Sequence, residues 1–118
     1  MIKPMLLHID IGNQSLVNWA NTNKYIIHSE LIRYCEKLIL GDFEVIEAIM
    51  ISNLADNVVF MVSKKNVGDT LDKAMEYFLE MEEYEQCAKI QNLLILISNK
   101  NKSITNDGRA IKKTNLQN

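Results

Sequence analysis

The sequence predicts a small, mainly α-helical domain closed by a C-terminal antiparallel helix hairpin, with a short two-stranded β element and α+β as the alternative class. Three observations carry that prediction. Apolar residues recur at helical spacing in Leu31, Ile32, Tyr34, Cys35, Leu38 and Ile39, again in Phe43, Ile46, Ile49, Met50 and Leu54, and most regularly in Leu71, Ala74, Met75, Phe78 and Leu79. Only two short stretches have strand character. The length of 118 residues, with 47% hydrophobic and 24% charged residues, suits one globular domain with a single core.

In chain order, residues 6–11 alternate, with Leu7, Ile9 and Ile11 on one side and His8 and Asp10 on the other, which predicts a strand ended by Gly12-Asn13. A brief helix follows through Leu16, Val17, Trp19 and Ala20. Ser29 can cap the next helix and Gly41 can end it. Asp42 then offers a new N-cap for a helix carrying Phe43 to Leu54, antiparallel to the one before it. The run Val58-Val59-Phe60-Met61-Val62 reads as a strand or a buried helical turn; the strand is favoured, paired with residues 6–11 so that its amides are not left alone. Asp69 or Thr70 can cap the third long helix, Met81-Glu82-Glu83 makes a corner, and a fourth helix directs Tyr84, Cys87, Ala88, Ile90, Leu94 and Ile97 inward. Residues 1–98 thus form the domain and 99–118 a polar, basic tail.

Charge is distributed unevenly although the net value is only −2. Within residues 69–89, seven acidic side chains stand against Lys73 and Lys89, so the hairpin is acidic by five charges. The tail is basic by four, with Lys100, Lys102, Arg109, Lys112 and Lys113 against Asp107. No apolar run reaches the roughly 18 residues of a membrane span, and the N-terminal segment meets His8 and Asp10 too early for a signal peptide. A cytoplasmic protein without membrane contact is expected. Its fifteen Ile, thirteen Asn and eleven Lys suit AT-rich codons and hence a bacterial or phage genome.

Catalytic and cofactor signatures are hard to find. Gly12, Gly41, Gly68 and Gly108 are too scattered for a phosphate-cradling loop. His8 and His28 lie far apart in sequence, outside the spacing of a metal site, and Cys35 and Cys87 sit in apolar patterns where thiols act as small core residues. No metal, no cofactor and no enzymatic activity are expected.

Residues 71–94 resemble the UVR motif, the helical hairpin of the UvrB and UvrC repair proteins and of some partners of the Clp protease machinery. The match rests on Leu71, Ala74-Met75, Phe78-Leu79, Tyr84-Glu85, Cys87-Ala88, Ile90 and Leu94, about a fifth of the chain. It departs at Gln91-Asn92, where the motif carries Arg-Asp. The resemblance implies helix-to-helix pairing with another protein.

The expected function is therefore a non-catalytic protein-interaction module, an adaptor, inhibitor or assembly factor, that docks a partner through its helical hairpin. Glu76, Glu80, Glu82, Glu83 and Glu85 are the candidate partner-binding residues, suited to a basic surface. One alternative is a nucleic-acid accessory protein whose Lys100, Lys102, Arg109, Lys112 and Lys113 neutralise phosphates. Another is a small enzyme whose catalytic groups converge from distant positions.

Overall fold

The computed structural model describes residues 2–108, and the side chains of residues 7–100. The elements are β1 (Ile2–Asp10), α1 (Leu16–Thr22), α2 (Lys24–Gly41), β2 (Val45–Ser52), β3 (Asn57–Ser63), α3 (Val67–Glu80) and α4 (Tyr84–Gly108). The fold is α+β, with a three-stranded sheet in the order β1-β2-β3. Strand β2 is central, parallel to β1 and antiparallel to β3.

That centre corrects the expected second helix from Asp42 to Leu54. The inward residues of β2 are Ile46, Ala48, Ile49 and Ile51, all fully buried. A bulge between Glu47 and Ile49 puts two consecutive residues on the core side, so the inward spacing becomes two, one and two. The step of three from Ile46 to Ile49 then imitates a helix. β-branched Val45, Ile46, Ile49 and Ile51 favour the pleated conformation, and Asp42, at φ 57° in the left-handed region, ends α2 before β2 can join it. The expected pairing of residues 6–11 with Val58 to Val62 is corrected with it, because β2 lies between β1 and β3 and hydrogen-bonds to both.

Strand β1 carries its alternation as expected, with Ile11 beyond its end buried and His8 and Asp10 exposed. Pro4 is tolerated because β1 is an edge, where a missing N–H need not break a ladder on both sides. Ser15 caps α1, its Oγ accepting from the Asn18 N–H at 3.2 Å.

Two helix starts lie earlier than the capping residues suggest. Helix α2 begins at Lys24, so Ser29 is inside it, and α3 begins at Val67, with Asp69 in its first turn. Thr70 donates its hydroxyl to the Asn66 carbonyl at 3.0 Å instead of capping the helix. At the C-terminal end of α2, a Cβ on Gly41 would run into the Phe43 ring, which would have to shift to admit any larger residue there.

Helices α3 and α4 form an antiparallel hairpin whose corner is Met81-Glu82-Glu83. Glu82 takes φ 58°, while the Glu83 N–H donates to the Phe78 carbonyl at 2.9 Å and the Met81 N–H to the Tyr77 carbonyl at 3.1 Å. The hairpin core contains Leu71, Ala74, Phe78, Cys87, Ile90 and Leu93. Tyr84, Ala88 and Leu79, expected inside, are exposed, because a helix opening at Tyr84 turns the row Cys87, Ile90, Leu93 and Leu94 toward α3. Helix α4 runs on through residue 99, where the sequence suggests a tail, to Gly108.

One hydrophobic core joins α2, β2, α3 and α4. Among the described residues no polar or charged side chain is buried in it as a whole, and no helix is long and apolar enough to cross a membrane.

Candidate functional site

Alternation and periodicity together build a groove at the open side of the core. Helix α2 brings Lys24, Ile27, His28 and Leu31 to one wall, since these positions recur at three- and four-residue steps along one face. Helix α3 brings Thr70, Lys73, Glu76, Tyr77 and Glu80 to the other by the same rule, and β3 supplies Phe60 and Met61 between them. The groove is open to solvent and its volume is about 550 Å³, within the range of small-ligand pockets. Its lining is mixed: Ile27, Leu31, Phe60, Met61 and Tyr77 are apolar or aromatic, Asn21, His28 and Thr70 are polar, and Lys24, Lys73, Glu76 and Glu80 add charges of both signs.

Aromatic contacts stiffen the end of this groove. The His28 ring stacks on Tyr77 with centroids 4.8 Å apart, and Phe78 meets Tyr77 edge-on at 5.1 Å and Tyr25 at 5.5 Å. The Nδ1 atom of His28 is buried with no hydrogen-bond partner. Burial, and secondarily the nearby Lys24 charge, hold the His28 pKa below its usual value, favouring the neutral ring.

The acidic candidates divide between two places. Glu76 and Glu80 line the groove from α3, whereas Glu82 and Glu83 occupy the hairpin corner and Glu85 the first turn of α4.

Of the basic candidates, Lys100 donates from Nζ to the Ile39 carbonyl at 2.6 Å and so satisfies the C-terminal end of α2. Lys102 lies in α4 but its side chain is outside those described, and Arg109, Lys112 and Lys113 lie outside the described residues altogether. A second cation, Lys64, bridges Asp42 at 2.8 Å and Glu44 at 3.3 Å. Its hydrogen bond and charge hold the Asp42 carboxyl below the usual carboxylate range.

The two cysteines do not line the groove. Cys35 is fully buried, and burial pushes its thiol up to about 12, which keeps it protonated and unreactive. Cys87 is buried in the hairpin. The sequence reading missed one polar pair: His8 Nε2 lies 2.9 Å from Ser52 Oγ on the side of the sheet away from the core. The parallel register puts His8 beside Met50 and Asp10 beside Ser52, so this pair follows from a strand pairing that sequence alone did not reveal. It is exposed and lies outside the groove, and Asp10 accepts from the Gly12 N–H at 3.0 Å. Nothing shown there orients the imidazole or stabilises an oxyanion, as acyl transfer requires. Among the described residues, no group of three or more His, Cys, Asp or Glu could hold a metal ion.

No family model, curated protein or solved structure matches this chain.

Proposed function

We propose that the protein is a non-catalytic interaction module that seats a segment of a partner protein in the groove between α2 and α3. The groove itself carries this reading: apolar and aromatic side chains line a concavity of about 550 Å³, with Lys24, Lys73, Glu76 and Glu80 available to orient what enters. Apolar contact supplies affinity in such a site and charge supplies register. A partner segment with one apolar face and basic residues placed to meet Glu76 and Glu80 fits best. The resemblance of the α3–α4 hairpin to the UVR motif supports the same reading, since that motif pairs helix with helix.

Capture from a bacterial lysate by the tagged, folded chain tests it. A stoichiometric partner should be retained by the wild type, released by the double variant Glu76→Lys/Glu80→Lys, and kept by Glu85→Gln at the hairpin end. Equal retention by all three, or no stoichiometric partner under low-salt conditions, would remove the groove as a docking site.

A further inference from the structure

We propose that β3 is a self-pairing edge, on which a second copy of this chain adds its own β3 antiparallel about a two-fold axis at Val59. The proposal goes beyond the docking groove and does not depend on it.

Among the described residues, β3 has β2 on one side only. The Lys64 N–H donates to the Glu44 carbonyl at 3.0 Å, which turns residue 64 toward the β2 side. Backbone groups alternate along a strand, so Val62, Phe60 and Val58 face β2 while Asn57, Val59, Met61 and Ser63 face outward. Asn66 accounts for the outward groups of Ser63: the Ser63 N–H donates to Asn66 Oδ1 at 2.8 Å, and the Asn66 N–H donates to the Ser63 carbonyl at 3.1 Å. The Asn66 side-chain amide thus stands where a neighbouring strand would stand, and it ends the open edge at Met61. Among the described residues, both backbone groups of Val59, the Met61 N–H and the Asn57 carbonyl are open, whereas the Asn57 N–H donates to Asp56 Oδ1 at 2.9 Å and the Met61 carbonyl accepts from Asn66 Nδ2 at 3.5 Å.

An antiparallel two-fold centred on Val59 uses these three positions. Val59 exchanges both bonds with the second copy's Val59, and the Met61 N–H of each copy donates to the Asn57 carbonyl of the other, four bonds in all. Val58 then stands opposite Phe60, which keeps the helix-covered side of one sheet continuous with that of the other. The result is one six-stranded sheet.

Composition and charge favour a second copy in this register. Natural edge strands are blunted by lysine, proline or inward charge, and β1 carries Lys3 and Pro4. In contrast, β3 reads NVVFMVS, with no charge and no proline, and exposes Val58 by 38%, Val59 by 39% and Met61 by 45%. The flanking charges also avoid their own kind, since Asp56 comes opposite Val62 and Lys64 opposite Leu54. Two cations and two anions line the adjoining groove, so the surfaces that approach around the axis are neutral in sum.

Sedimentation equilibrium of the full chain over the micromolar range tests the proposal. The wild type should sediment at twice the 13.6 kDa of one chain, and Val59→Lys, which places two ammonium groups face to face, should halve that mass. His8→Lys on β1 should leave the dimer intact. Amide exchange of the wild type supplies a readout that needs no variant: the Val59 and Met61 amides should gain protection as concentration rises. A wild type that stays monomeric throughout, amides of Val59 and Met61 that exchange independently of concentration, or a Val59→Lys chain that remains dimeric would overturn it. So would protection of Val59 that appears only with a foreign protein, which would make β3 the edge for another partner's strand.

Discussion

The two sides of the sheet differ in what they ask of their residues. On the helix-covered side Ile46, Ala48, Ile49, Ile51 and Val62 are fully buried and meet Leu71 and Phe78 of α3 in one core. On the other side Val59 is exposed, Met50 is half-buried, and His8 and Ser52 bond to each other in the open. Stability therefore concentrates on one side, where removing a methylene leaves a void that neighbours cannot fill. The open side tolerates change and is available for recognition.

The largest effect should come from Phe78→Ala on the covered side. Phe78 is fully buried and touches the rings of Tyr25, His28 and Tyr77, so its truncation should cost about 3 to 5 kcal/mol. That is a large part of a typical domain's ~5 to 15 kcal/mol, and the urea midpoint should fall accordingly. Met50→Ala on the open side gives the contrast. A midpoint shift as large as that of Phe78→Ala would break the distinction between the two sides.

Next in size is Gly41→Ala. Its new Cβ meets the Phe43 ring, and displacing a packed ring typically costs about 1 to 3 kcal/mol, more than the helix propensity that alanine contributes. If the variant proves more stable than wild type in thermal melts, the ring moves freely and the close approach carries no constraint.

A smaller, pH-dependent effect should come from His28 at the groove. Its folded-state pKa is lowered, so below the unfolded value of about 6.5 the unfolded chain binds more protons than the folded one. Stability contributed by the neutral ring is fully present above that pH and is lost as pH falls through the interval down to the folded pKa. Denaturant midpoints across that interval should fall more steeply for wild type than for His28→Phe, which keeps a ring against Tyr77. Parallel slopes would mean that His28 is solvated in the folded protein.

The smallest effect should follow the triple change Glu80→Gln, Glu82→Gln and Glu83→Gln. Exposed charges contribute little to stability, so the melting temperature should stay close to that of wild type. A shift comparable to that of Gly41→Ala would show that the corner charges hold the hairpin together.

Much of the fold was legible because its determinants are local. Leu71, Ala74 and Phe78 lie at helical offsets that no strand could present to one side, and α3 forms where they predict it. The alternation Leu7, His8, Ile9, Asp10, Ile11 and the β-branched run at residues 58–62 likewise became strands. The segment from Phe43 to Leu54 was legible as apolar but not as a strand, because the bulge at Ala48 gave its inward residues a spacing that helix and strand share.

The candidate site was less legible than the fold. Glu76 and Glu80 could be named as exposed acids on one helix, but the groove they line needs His28 from α2 and Phe60 from β3, residues separated by long stretches of chain. The sequence alone determined that this chain has one apolar core, an acidic hairpin and helices where periodicity is strongest, since these depend on neighbours three or four positions apart. Only the tertiary structure decided that β2 is the central strand, that β3 is left as an uncharged edge and that α2 and α3 enclose a groove. Those outcomes rest on hydrogen bonds and contacts between distant residues, and their free energy appears only when the whole core closes.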